Sequence, residues 1–161
     1  MRITHASLSD LDALTELEAA CFPEAEAASR ESLRARLTAF PECFWLLRDE
    51  NGEVISMING MATDEPDLTD EMYEDAGMHD PNGARQMIFA VDTRPASRGN
   101  GYALMLMRRV IADCRSRGQK EAVLTCKQAL IPFYERLGFA CEGVSGSVHG
   151  GAVWYAMRCE F

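Results

Sequence analysis

The chain has 161 residues, enough for one domain with a sizeable core and little room for a second. A net charge of −9 argues against a nucleic-acid partner, and no apolar run approaches the roughly 20 residues that span a bilayer. With 47% hydrophobic and 25% charged residues, and no signal-peptide core in "MRITHASLSDLDAL", a single cytoplasmic domain over 1–161 is expected.

In chain order, "RITHA" reads as a short strand, and Ser7 to Asp10 as a helix start followed by Leu11, Leu14, Leu17 and Cys21 at helical period. "SRESLRARLTAF" predicts a second helix capped by Ser29, with Leu33, Leu37 and Phe40 on one face. "CFWLLRDENGEVISMINGMA" is a hairpin signal built on Asn51-Gly52. Residues 63–84 then carry Asp64, Glu65, Asp67, Asp70, Glu71, Glu74, Asp75 and Asp80 with no Lys or Arg. That stretch reads as a solvated loop with one helical turn, or as an acidic rim beside a site that receives amines. "RQMIFAVDT" is a buried strand, "GYALMLMRRVIADCRSRG" a long helix ending at Gly118, and "EAVLTC" a strand.

In "QALIPFYERLGF", Leu130, Phe133, Tyr134 and Leu137 fall on one helical face, Pro132 fits the first turn, and Gly138 ends the helix. "FACEGV" and "AVWYAMRCEF" close the sheet. The order is β-α-α-β-β-β-α-β-α-β-β, a mixed α/β domain whose sheet need not be parallel throughout. Cys21, Cys43, Cys114, Cys126, Cys141 and Cys159 are spread without a CxxC pair or a Cys/His cluster, so they read as reduced thiols and not as a metal site.

Chemistry concentrates in the unit strand, glycine-rich turn, helix. Gly99 and Gly101 precede the helix near Tyr102, where free backbone N–H groups make an anion site suited to phosphate. A dinucleotide fold would want GxGxxG after the first strand, and a phosphate-binding P-loop would want Lys and Ser/Thr after the glycines; neither is present. Tyr134, taken alone, reads as a core tyrosine whose hydroxyl needs a partner.

Read together, "ASRGNGYA" is similar to the Q/R-x-x-G-x-G/A turn, and "FYERLGF" to the Y-x-x-x-G-F ending, of the GCN5-related N-acetyltransferase (GNAT) superfamily. The chain resembles that superfamily over nearly its whole length. "LTCKQALIPFYERLGF", "FPECFWLL" and "MINGMATDEPDLT" look like its serotonin (arylalkylamine) N-acetyltransferase branch. The resemblance implies the GNAT fold: one mixed central sheet of about seven strands, the fourth bulged, flanked by about four helices. It implies an acyltransferase that passes an acetyl group from acetyl-CoA, its co-substrate, to a primary amine by direct attack in a ternary complex, without metal. Ser97, Arg98, Gly99, Asn100, Gly101 and Tyr102 would cradle the pyrophosphate. Phe89, Ala90 and Val91 would pair with the pantetheine arm, and an N–H near Phe89 would stabilise the oxyanion. Tyr134 would give a proton to the departing thiolate, whose conjugate acid titrates near 8.5 by analogy with cysteine.

Two positions depart from the pattern. Ala96 stands where the turn has Gln or Arg, and Arg85 and Met87 stand where the arylalkylamine branch has its two histidines. The candidates left to receive the amine proton are Glu16, Glu18, Asp92 and the acids of residues 63–84. His5, His79 and His149 read as surface or structural, His79 being the one best placed in sequence. Met57, Met61, Met72, Met78 and Met87 with Phe22, Phe44 and Trp45 read mainly as core, with a substrate pocket as the alternative. Cys126 offers a covalent ping-pong variant. A non-catalytic acyl-CoA sensor and a peptide or protein N-acetyltransferase are the alternative functions. The expected partner is a small-molecule amine, with no nucleic acid and no membrane, and a homodimer is left open.

Overall fold

The computed structural model describes residues Met1–Phe161 as nine strand segments and five helices. β1 (Arg2–His5) leads into α1 (Leu11–Cys21) through a short turn in which the Asp10 carboxylate accepts the Ser7 N–H at 3.0 Å. Leu11, Leu14 and Leu17 bury one stripe of α1, as the helical period requires. α2 (Arg30–Ala39) starts at its expected cap: the Ser29 hydroxyl accepts the Ser32 N–H at 3.1 Å.

β2 (Phe44–Arg48) and β3 (Val54–Asn59) form the expected hairpin, with Gly52 at φ +81° and Asp49 Oδ1 accepting the N–H groups of Asn51 and Glu53. β4 (Ala62–Thr63) follows a kink at Gly60. A Cβ there would lie 1.7 Å from the Met87 carbonyl oxygen, so only glycine fits. The acidic segment holds one helical turn, α3 (Asp70–Glu74), but it is tied down. Arg158 reaches Asp67 at 2.7 Å, and Asp70 accepts from the Ser147 hydroxyl and the Val148 N–H. β5 (Arg85–Ile88), β6 (Ala90–Thr93), α4 (Tyr102–Ser116), β7 (Glu121–Cys126), α5 (Ile131–Glu135), β8 (Ala140–Val144) and β9 (Tyr155–Glu160) complete the chain.

The class is mixed α/β, but the strands divide into two sheets where one was expected. One runs β1-β2-β3-β6, all antiparallel; the other runs β4-β5-β7-β9-β8, with β5 and β7 its parallel pair. The cause is local. Between the Asn59–Ala90 and Ala62–Gln86 pairs, Met87, Ile88 and Phe89 oppose only Gly60 and Met61. That extra residue is the bulge in the fourth predicted strand, and it turns β6 away from the sheet that holds β5. The strand and helix counts rise accordingly, with β4 separated from β3, β6 separated from β5, and α3 counted.

Helix α4 packs on β2, β3, β6 and β7, α1 packs on β3 and β6, and α5 packs on β8 and β9. Trp45, Phe44, Met57, Met61, Met72 and Met87 are fully or almost fully buried in one hydrophobic cluster, and Met78 packs against it. The methionine set is therefore core. No helix is long and apolar enough to cross a membrane.

Candidate active site

β5 and β7 stay paired up to Ile88 and Leu124, after which β6 leaves to join β3. The wedge left between β6 and β7 opens into a cavity of about 250 Å³. Ile88 to Val91 form one wall, Leu124 to Cys126 the facing wall, and Tyr134 enters from α5. Glu18 and Phe22 come from α1, Arg36 from α2, Tyr73 and Glu74 from the acidic segment, and His149 and Trp154 from the link between β8 and β9. Phe89, Ala90, Val91 and Tyr134, expected to act together, therefore meet in one cavity.

Tyr134 is buried, its ring edge-on to Phe133 at 5.0 Å and to Phe139 at 5.8 Å. Pro132 occupies the first turn of α5, and Gly138, at φ +95°, ends the segment as expected. The apolar face is shorter than its period suggests, because α5 begins at Ile131 and leaves Leu130 48% exposed. Burial first, then Cys126 and Asp92 nearby, push the Tyr134 phenol above its ordinary value. The side chain is thus a neutral hydrogen-bond donor throughout the physiological range.

The glycine turn lies at the far end of β6, outside the cavity lining. Gly99 and Gly101 adopt φ +83° and +78°, and Gly101 caps the 15-residue α4. A Cβ at either glycine would meet nothing within 4 Å, so conformation, not space, requires them. The N–H groups of residues 99 to 104 find no acceptor in the chain, and the first α4 bond runs from the Met105 N–H to the Gly101 carbonyl. Arg98 and Asn100 brace the turn, donating to the Thr93 and Ser97 carbonyls at 3.2 and 2.9 Å. Ser97 and Tyr102 flank it, both half-buried. The arrangement suits an anion.

The bulge narrows which amide near Phe89 is free. The Phe89 N–H donates to the Asn59 carbonyl at 2.7 Å, because the bulge keeps this amide within reach of β3. An oxyanion donor in this segment must be a neighbouring amide.

A buried polar cluster backs the cavity. Glu18, 3% exposed, accepts the Ala28 N–H on Oε2 at 2.9 Å and leaves Oε1 without a donor. Asp92 is wholly buried beside it, and neither of its oxygens has a donor. Burial, then the Glu18 charge and hydrogen bonding with Glu18, hold the Asp92 carboxyl well above the carboxylate range, with Arg36 opposing. Arg36 donates to Asn59 Oδ1 at 3.2 Å and to the Tyr73 carbonyl at 3.1 Å, and lies 4.8 Å from the Phe89 ring centroid. Arg36 and Asn59 escaped the sequence reading. The available signal was periodicity, since Leu33, Arg36, Leu37 and Phe40 follow i, i+3, i+4, i+7, and Glu18 interrupts the stripe of α1 in the same way. Glu16, by contrast, is exposed.

His149, not His79, reaches the cavity. Its Nε2 donates to the Glu26 carbonyl at 2.8 Å, and its ring stacks on Tyr73 at 4.8 Å. His79 accepts the Ala62 N–H on Nδ1, so its proton sits on Nε2, 3.2 Å from Glu42. That tautomer offers no lone pair to a metal between Glu42, Cys43 and His79, and Arg117 beside Cys43 adds a repelling charge. His5 is bonded to the Phe44 carbonyl. At the two departing positions, Arg85 pairs with Glu121 and Met87 is core, so neither is free for proton transfer. The Cys126 thiol lines the cavity but is pushed up to about 11 by burial and by Cys141.

The sequence profile of the acetyltransferase (GNAT) family matches residues 11–139. The chain belongs to the GNAT family. Among GNAT relatives, serotonin N-acetyltransferase of Mesocricetus auratus is 28% identical over 81% of this chain and 61% of its own length. The chain thus spans less than two thirds of that relative. The GphF GNAT-like decarboxylase, solved in complex with isobutyryl-CoA, is 26% identical, with a TM-score of 0.86 and 99% of each chain covered. A phosphinothricin acetyltransferase from Sinorhizobium meliloti, solved in complex with AcCoA, shares the fold at 16% identity, with a TM-score of 0.72 over 99% of this chain and 88% of that one.

Proposed function

We propose that this protein is an acetyl-CoA-dependent N-acetyltransferase that acetylates a small primary amine by direct attack in a ternary complex. The observation that carries it is one strand, β6, joining two features: a cavity edge holding Phe89 to Val91 opposite Tyr134, and a turn with free N–H groups at residues 99 to 104. The residues fit the co-substrate. The uncommitted amides of the turn, with open space above Gly99 and Gly101, match a pyrophosphate, and the parted strands leave an edge for an extended pantetheine arm. Ser97 to Tyr102 hold the phosphates, Phe89 to Val91 line the arm, and an amide beside Phe89 faces the thioester oxygen.

Tyr134 serves the leaving group. Its hydroxyl donates to the sulfur as the carbon–sulfur bond breaks, and its raised pKa means that it must be reprotonated as it gives its proton up. Tyr73, His149 and Trp154 form a wall of neighbouring rings, 4.8 and 6.0 Å between successive centroids, that suits the apolar body of an amine. Thiol release from acetyl-CoA across a panel of amines tests the reading; folded protein that releases none contradicts it.

The likeness to GphF favours one second reading, decarboxylation of a carboxyacyl-CoA. Against it, Arg36 is the one cation lining a cavity that also carries Glu18, Glu26 and Glu74, a balance that suits an amine better than a carboxylate. Carbon dioxide release from a carboxyacyl-CoA, without any amine, would establish it.

A further inference from the structure

We infer that Lys127 is a self-acetylation site: without an acceptor amine, its Nζ takes the acetyl group from acetyl-CoA bound to the same chain. The inference rests on the N-acetyltransferase reading above and adds an acceptor that the protein itself supplies.

Side-chain amines are scarce in this sequence. Of its 16 Lys and Arg residues, only Lys120 and Lys127 are lysines. Arginine is no substitute, because its guanidinium stays protonated and is not a nucleophile. The two lysines stand at opposite ends of β7. Lys120 precedes the strand, where its N–H donates to the Ala84 carbonyl at 2.7 Å, whereas the cavity is lined by Leu124 to Cys126 at the other end. The step from Lys120 to Lys127 covers about 23 Å of extended chain.

Lys127 directly follows β7. Its backbone is still extended, at φ −72° and ψ 153°, so alternation puts its side chain on the face of Thr125. Thr125 and Cys126 line the cavity, and so do both groups that the Lys127 ammonium meets. Nζ lies 2.9 and 3.0 Å from the two Glu26 carboxylate oxygens and 5.7 Å from the centroid of the Trp154 ring. The Lys127 side chain is 46% exposed, so it sits at the rim in contact with water. A lysine nitrogen moves on a sphere of about 6 Å around its Cα. Released from Glu26, it swings from the rim into the gap between Cys126 and Ile88–Val91 that would hold the thioester. Lys120 has no such path.

The atoms balance. The Lys127 ammonium gives one proton to water at the rim, and the free amine attacks the thioester carbonyl carbon, forming the carbon–nitrogen bond. The carbon–sulfur bond breaks with its electron pair on sulfur. The second nitrogen proton reaches that sulfur by way of the Tyr134 hydroxyl. One acetyl-lysine, one thiol and one released proton result.

The test incubates the purified chain with acetyl-CoA alone, digests it after timed intervals, and follows the mass of one acetyl group on the Lys120 and Lys127 peptides. Lys127 should label at least about tenfold faster than Lys120, because a nitrogen held beside the thioester replaces a bimolecular encounter. In urea, where the site is gone, the two lysines should label at the same slow rate. The rate constant at Lys127 should stay the same over about a hundredfold dilution of the protein, as transfer within one chain requires. Lys127→Arg keeps a cation for Glu26 and should carry no label at that position, with Lys120 still slow. Equal labelling of the two lysines in folded protein means acetylation from solution and overturns the assignment. A rate constant that falls in proportion to dilution means transfer between copies and overturns it too. Thiol release with an added alkylamine, while Lys127 stays unlabelled, refutes the assignment and leaves the N-acetyltransferase reading standing. Protein that binds acetyl-CoA but neither labels itself nor releases thiol with any amine refutes that reading, and this assignment with it.

Discussion

Asp92 lies against Glu18 with both its oxygens out of reach of any N–H or O–H donor in the chain. The folded protein therefore keeps a proton on Asp92 that the unfolded chain gives up near pH 4. Folded-state pKa exceeds unfolded, so this contribution is fully present below the unfolded value and is lost as pH rises through the window between the two. Asp92→Asn removes that loss. Thermal unfolding should show the variant about 2–4 °C more stable at pH 8, the equivalent of about 1 kcal/mol in a chain of this size, and equal to wild type near pH 4. A variant less stable at pH 8 would mean that Asp92 is ionised and compensated.

Gly60 approaches the Met87 carbonyl too closely for any side chain, and β5 is tied to that same kink by the Met87 N–H donating to the Met61 carbonyl at 2.7 Å. Gly60→Ala must push β5 away from the β3–β4 kink. A loss of about 2–3 kcal/mol is expected, or about 4–12 °C in melting temperature. An unchanged melting temperature would show that the kink relaxes freely.

At the glycine turn, Gly101→Asp puts a carboxylate and a strained φ where the free N–H groups converge. Calorimetric titration should show acetyl-CoA affinity reduced by at least about 100-fold, which is about 2.7 kcal/mol. Wild-type affinity would mean that the phosphates bind elsewhere.

Cys126 is a poor nucleophile, since a thiol pushed up to about 11 leaves only about one thiolate in ten thousand at pH 7. Cys126→Ala should retain thiol release within about twofold, and no acetylated intermediate should appear by mass spectrometry. Abolished turnover would support the covalent route.

Much of the fold was legible because its signals are local. Ser29 capping α2, Gly52 in the hairpin and Gly118 past α4 each need only neighbouring residues. The division at Phe89 was not, because "RQMIFAVDT" is apolar without a period, and the extra residue shows only against Gly60 and Met61 on another strand. The site divides in the same way. Tyr134 and the glycines sit in contiguous motifs. Arg36 and Glu18 show only as polar breaks in two apolar stripes, whose meeting depends on how α1 and α2 pack. His149 and Trp154 arrive on a glycine-rich link that Asp70 pins from 77 residues away.

The central claim is that Tyr134 donates to the sulfur leaving acetyl-CoA. It is tested most directly by single-turnover thiol release in Tyr134→Phe, with acetyl-CoA affinity measured in parallel. The expected result is a fall of about 10²-fold in rate with affinity nearly unchanged, and a wild-type rate that does not fall through Tyr134 ionisation below pH 10. A Tyr134→Phe protein that releases thiol at the wild-type rate would contradict the claim.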